Sequence, residues 1–194
     1  LCLNLFGPGR HKSVFRIFDH WGNFEYFETR YQAAEIKVTK GIMQQVFETR
    51  ITLAETALQN GQLDVLKDTA ALIEADVRRL PEDSIRVRDK WREVRMAHDA
   101  NALHQFAPAT VALLKNDIAN LMQWVDVRGD VPALEFDLEI TRLQQHRITG
   151  SSEFDDASAN VRNTLASLPM HLNQVRDKVE VINAARKLDY WAPT

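Results

Sequence analysis

The chain has 194 residues, of which 45% are hydrophobic and 26% charged, with a formal net charge of -3. That length supports one good core, and the near-neutral charge excludes a chain that coats nucleic acid or membrane over its whole surface. The single cysteine, Cys2, excludes an internal disulfide framework and a cysteine zinc cluster, and fits a reducing compartment. No apolar run approaches the roughly 20 residues that span a bilayer. The opening LCLNLF is too short for a signal h-region and has no basic n-region. Leu at position 1, in place of Met, is expected of a piece of a longer protein.

The first segment differs in kind from the rest. Eight of the 16 aromatic residues fall in the first 31 positions, which marks a break in composition with the Leu-, Ala-, Glu- and Arg-rich sequence that follows. Gly7-Pro8-Gly9 reads as a turn, Ser13 to Asp19 as a strand, and Phe24 to Phe27 as an extended or short helical piece. We divide the chain into residues 1–31, too short to fold alone, and a helical domain over 32–194. Phe15, Ile17, Phe24 and Phe27 are suited to packing on a neighbour, so the strand is expected to be mobile or to pack on the bundle or on another copy.

Helices then follow one another. Ile42, Val46, Phe47, Ile51, Ala54 and Leu58 form one apolar stripe, stopped by Asn60-Gly61. Leu63, Leu66, Ala70, Ile73, Val77 and Leu80 recur at steps of three and four, which predicts a bundle seam ended by Pro81. Ser84 caps a third helix through about Met96, and Asp99 a single turn before Phe106. Pro108 opens a helix to about Val125, with Val111, Leu114, Ile118, Leu121 and Val125 as its seam.

Asp130 with Pro132 starts the next helix, which stops before Gly150. Ser151 or Ser152 caps another, with Phe154, Val161 and Leu165 inward. A last helix carries Val175, Val179 and Ile182, and Tyr190-Trp191 forms a terminal anchor. The fold class is mainly α: an antiparallel bundle of about six to eight helices with a short N-terminal β or extended segment. No internal repeat and no low-complexity segment is evident.

Two groups of residues are candidates for chemistry. Asp19, Glu35 and Lys37 resemble the Asp and Glu-x-Lys by which some nucleases hold Mg²⁺ and activate water. Glu-x-Lys is common by chance, and the preferred reading is of solvated residues leading into a helix. The second group is basic. Arg78, Arg79, Arg86, Arg88, Lys90, Arg92 and Arg95 stand against Glu82, Asp83, Asp89 and Glu93, a local charge of +3. On one continuous helix Arg88, Arg92 and Arg95 line a single face beside Val87, Trp91 and Val94, suited to DNA phosphates or an acidic protein surface. The competing reading is an exposed face with weak intrahelical pairs such as Asp89 to Arg92.

The remaining patterns carry less. The six histidines lack metal spacing, and Glu135, Asp137 and Glu139 alternate along a helix, so they do not converge on one ion. Asp155-Asp156 favours a helix N-terminus electrostatically. Gly7-Pro8-Gly9-Arg10 lacks the ending of a phosphate loop, and no Gly-x-Ser-x-Gly elbow occurs. No metal site and no catalytic residue is expected in the chain.

The stretch LFGPGRHKSVFRIFDHWGNFEYFE, followed by Phe47 to Arg50, Leu80 to Arg88 and Lys90 to Arg95, resembles the restriction (R, HsdR) subunit of type I restriction-modification enzymes. Phe106 to Leu114, Leu121 to Trp124, Phe136 to Leu138, Leu168 to Met170, Asn173 to Arg176 and Tyr190-Trp191 continue the likeness. It covers nearly the whole chain and is most similar to the EcoEI-type R-protein C-terminal family. The order of the segments, more than any one motif, makes the match specific.

The resemblance implies a cytoplasmic enzyme with a nuclease, a tandem motor that uses ATP and Mg²⁺ to translocate DNA, and a helical C-terminal region. Residues 1–31 would then be the end of the second motor lobe and a linking strap. The helical part would dock the motor onto the methyltransferase and specificity subunits, meeting DNA through the complex and no membrane. The fragment itself would hold no cofactor and no catalytic residue. Arg88, Arg92, Arg95, Arg78, Arg79, Tyr190 and Trp191 are the candidate DNA- or partner-contacting residues. A DNA-contacting helical module beside the motor is the alternative, and an autonomous Mg²⁺ nuclease on Asp19, Glu35 and Lys37 the third reading.

Overall fold

The computed structural model describes residues 4, 7–12, 16, 18, 19 and 40–187. The chain divides into two compact units, Leu1–Thr39 and Lys40–Thr194. In the first unit the Gly7-Pro8-Gly9 turn is closed by the Arg10 N–H on the Gly7 carbonyl at 3.0 Å and the Gly9 N–H on Asn4 Oδ1 at 3.0 Å. The expected strand over Ser13 to Asp19 and the packing of Phe15, Ile17, Phe24 and Phe27 lie outside the described residues.

The second unit is helical, and no strand occurs among the described residues. Its elements are α1 (Ile42–Gln59), α2 (Leu63–Arg78), α3 (Ile85–Arg88), α4 (Trp91–Ala97), α5 (Ala100–Gln105), α6 (Pro108–Leu113), α7 (Val131–Thr149), α8 (Phe154–Ala166), α9 (Asn173–Arg176) and α10 (Val179–Ala185). The bundle is as expected, and among the described residues it counts ten helices because two of the expected helices are broken. The backbone leaves the helical region at Lys90 (φ -115°, ψ 25°) and again at Lys178 (φ -112°, ψ 11°). The helix expected over 84–96 is therefore α3 plus α4, and the last helix is α9 plus α10.

The helix opened by Pro108 also changes its winding. It is α-helical to Leu113, widens to a π turn over Leu114–Ile118, and tightens to a 3-10 spiral over Ala119–Trp124. This keeps Leu114, Ile118 and Met122 all facing the core. Asp99 caps α5 as expected, accepting the Asn101 N–H at 2.9 Å. At α8 the cap position is Glu153, and the Ser151 hydroxyl serves by accepting the Glu153 N–H at 3.2 Å.

The main core joins α1, α2 and the segment from α3 through Val125, with Leu134 and Leu138 of α7 packed against it. The predicted stripes Val46/Phe47/Ile51/Ala54 and Leu66/Ala70/Ile73/Val77/Leu80 are buried in it, whereas their outer members Leu58 and Leu63 are exposed. A smaller core gathers Leu143, Val161, Leu165 and Ala185, flanked by Phe136, Ile140, Phe154 and Leu168.

An internal repeat, not evident in the sequence alone, emerges from the burial pattern. Leu66, Ala70, Ile73, Val77 and Leu80 have their counterparts 88 residues on, at Phe154, Ser158, Val161, Leu165 and Leu168. The same step relates Leu80-Pro81 to Leu168-Pro169 and Val87-Arg88-Asp89-Lys90 to Val175-Arg176-Asp177-Lys178. It also carries the limits of α3 and α4 onto those of α9 and α10. In the leading helices the step is one longer, pairing Phe47 with Phe136, Ile51 with Ile140 and Gly61 with Gly150. The unit is thus two helical hairpins, α1–α2 and α7–α8, each trailed by a Leu-Pro turn and a broken helix. The hairpins pack through α1 and α7.

Gly61 (φ +69°) and Gly150 (φ +63°) turn each hairpin in the left-handed conformation. Nothing lies within 4 Å of a Cβ built at either. Gly150→Ala should therefore cost only the backbone strain of that conformation, roughly 1 kcal/mol in a urea titration. A loss of several kcal/mol would show instead that the turn is tightly packed.

Candidate functional site around Trp91

The breaks at Lys90 and Lys178 follow Val-Arg-Asp-Lys in each repeat, and the first of them decides where the basic residues point. Lys90 Nζ donates to Asp117 Oδ1 at 2.8 Å, pinning the break to the π turn. The two acceptors Asp117 and Glu93 hold the Lys90 ammonium above its ordinary value, the hydrogen bond to Asp117 being the larger cause. With Val87, Val94 and Ala97 buried on the inner side, the outer side of α3–α4 is left to Arg88, Trp91, Arg92 and Arg95.

There Glu82, Val87, Arg88, Trp91, Val94, Arg95 and His98 line a groove of about 310 Å³. Trp91 stands 55% exposed at its edge. The Arg92 guanidinium lies 5.3 Å from the Trp91 ring centroid, a cation–π contact. Arg88, Arg92 and Arg95 have no carboxylate partner, and the pair expected between Asp89 and Arg92 does not form, among the described residues.

The structure thus corrects the single-face geometry. Arg88 sits on α3 while Arg92 and Arg95 sit on α4, and the groove draws together Arg88 and Arg95 with Arg92 stacked beside it.

Of the other candidates, Arg78 is tied to Glu74 of its own helix, and Arg79 Nη2 donates to Asp130 Oδ2 at 2.8 Å, joining the end of α2 to the start of α7. Both are thus ion-paired, Arg78 while its side chain stays 67% exposed. Tyr190 and Trp191 lie outside the described residues, as do Glu35 and Lys37, so the Asp19/Glu35/Lys37 set falls there too.

Sequence reasoning missed three features. Arg86 lies 5.9 Å from the ring centroid of the half-exposed Trp124, a second arginine–tryptophan contact. Only its Arg and Trp composition could have hinted at this.

The second is a polar cleft of about 760 Å³ between α1, α7 and α8, lined by Glu48, Glu139, Glu153 and Asp156 against Arg142 and His146. His146 Nε2 lies 3.5 Å from Glu153. The cleft is larger than the Trp91 groove, yet no nucleophile stands beside a base in its lining, and no cluster of potential metal ligands occurs among the described residues.

The third is a buried charge cluster. Arg50 Nη1 donates to both carboxylate oxygens of Asp76 at 2.6 Å, and Nη2 donates to Asp137 Oδ2 at 2.7 Å, so α1, α2 and α7 meet at one guanidinium. Burial raises the Asp76 carboxyl above its ordinary 3.8, with Arg50 pulling the other way. Arg50 Nε is buried without a partner among the described residues.

No family model, curated protein or solved structure matches the chain. No helix among the described residues is long and apolar enough to cross a membrane.

Proposed function

We propose that the helical unit is an assembly domain of a type I restriction R subunit, docking the motor onto the methyltransferase-specificity core, in the cytoplasm. The observation that carries this is the groove around Trp91. An exposed tryptophan flanked by arginines is the composition of an interface anchor. The segments that fold into it, Leu80 to Arg88 and Lys90 to Arg95, are among those in which the sequence resembles the R subunit. The surrounding bundle supplies rigidity. In this reading DNA, ATP and Mg²⁺ are engaged by other parts of the enzyme.

The absence of carboxylate partners at Arg88, Arg92 and Arg95 also favours the second reading, a surface that tracks duplex phosphates. Titration against salt separates the two. For docking, a methyltransferase pull-down should survive moderate salt, and Trp91→Ala should weaken it about 30-fold or more. For DNA contact, affinity should collapse with salt, and Arg88→Ala/Arg92→Ala/Arg95→Ala should lower the salt slope by about three. Loss of neither interaction in these variants would exclude the groove from both roles.

A further inference from the structure

The two repeats fold the same turn from different residues, so each serves as a control for the other. Val87-Arg88-Asp89-Lys90 recurs as Val175-Arg176-Asp177-Lys178, and the limits of α3 and α4 match those of α9 and α10. The turn therefore forms without the side chains that follow it in the first repeat. Trp91, Arg92 and Arg95 become Val179, Glu180 and Asn183 in the second. Nothing in the shared backbone calls for a tryptophan 55% exposed beside arginines that have no carboxylate partner among the described residues.

The groove is not open for want of following chain. Residues 99–125 come next, and they pack on the inner side of α3–α4, where Leu103, Phe106, Leu114 and Ile118 share a core with Val87 and Val94. Trp91, Arg92 and Arg95 stay exposed on the outer side.

We propose that the groove receives an acidic segment of the methyltransferase-specificity core, with one bulky apolar side chain seated against Trp91 and carboxylates on Arg92 and Arg95. This rests on the docking function proposed above and adds the chemistry of the partner. Charge complementarity selects it. Arg88, Arg92 and Arg95 carry three positive charges, whereas their counterparts Arg176, Glu180 and Asn183 carry none net. The neighbouring cation, Lys90, is already engaged by Asp117 at 2.8 Å, which leaves the arginines to meet incoming carboxylates. At about 310 Å³ the groove is at the small end of binding clefts, with room for a side chain and not for a helix. Glu82 in the same wall would repel phosphates, which favours a protein segment over a nucleic-acid backbone.

The second repeat supplies variants that the same turn already accommodates. In the full chain, Trp91→Val/Arg92→Glu/Arg95→Asn should melt as the wild type does and weaken capture of the purified core about 100-fold or more. Arg92→Glu/Arg95→Asn, at two exposed positions with Trp91 kept, should weaken it about tenfold or more. A photo-crosslinking residue placed at His98, in the groove wall, should capture a segment of the core with two or more carboxylates beside a leucine or an aromatic ring.

Binding lost with Trp91→Val but undiminished in the arginine double variant would overturn the acidic partner and leave docking at Trp91 standing. Failure of the wild-type chain to capture the core at all would end the docking function and this partner together. Competition by DNA would assign the groove to nucleic acid, and self-association relieved by the triple variant would assign it to a second copy. Either result overturns the proposal, as does a crosslinked segment without carboxylates.

Discussion

Replacing Asp76 with Ala is expected to lower the unfolding free energy by about 3–5 kcal/mol, because it leaves the Arg50 guanidinium in a dry site with only Asp137 to answer it. Arg50 is 5% exposed and Asp76 3% exposed, so water does not compensate for the missing carboxylate. The double variant Arg50→Met/Asp76→Leu removes charge and counter-charge together and should recover most of the loss. Urea unfolding at neutral pH measures both. A loss under about 1 kcal/mol for Asp76→Ala would mean that the guanidinium finds water or another partner.

The pH dependence has a definite sign. Burial lifts the folded-state pKa of Asp76 above the 3.8 of the unfolded chain, so the folded protein holds this proton more tightly. Its contribution to stability is fully present below 3.8 and is lost as pH rises through the folded value. Relative to Asp76→Asn, which cannot titrate, the wild type should therefore gain stability as pH falls through that window.

Phe47→Ala is the second large effect, at about 3–5 kcal/mol. The ring is fully buried in the main core, so its removal leaves a cavity as well as the lost transfer energy. Its counterpart Phe136 is only partly buried, against the smaller core. Phe136→Ala should cost about 2 kcal/mol, nearer the transfer of half a ring than the opening of a cavity. Equal losses at the two positions would mean that the second hairpin is packed as tightly as the first.

Much of the scaffold is legible in the sequence because it is periodic. The spacing of Val46, Phe47, Ile51 and Ala54, and of Leu66 through Leu80, locates α1, α2 and their buried faces directly. What escapes a local reading is decided by distant partners.

Nothing in Val-Arg-Asp-Lys-Trp forbids a helix. The same break recurs at Lys178 without a carboxylate partner among the described residues, so the bond from Lys90 to Asp117, 27 residues away, ties the broken segment to the π turn and is not what breaks it. Arg50, Asp76 and Asp137 lie 26 and 87 residues apart, so no window contains the cluster. The repeat hides for another reason. Few identities survive in it, and the shift by one residue in the hairpin turn breaks a fixed-step comparison; burial is shared where identity is not.

The site was half legible. Trp91 and its arginines are visible as a basic, aromatic stretch. Their distribution over two helices, and the diversion of Arg78 and Arg79 into ion pairs, depend on tertiary contacts.

Two hairpins of one pattern create a hazard while the chain folds, since α2 can try α7 and α8 can try α1. The polar pairs sort them. Arg50 with Asp76 in the first hairpin has its counterpart in Glu139 with Thr164 in the second, where the threonine hydroxyl donates to Glu139 Oε2 at 3.2 Å. Exchange partners, and Asp76 faces Glu139, two carboxylates at a helix contact, while Arg50 faces a threonine that offers no charge. Both mispairings are penalised, and one charged residue on each leading helix tells the two apart.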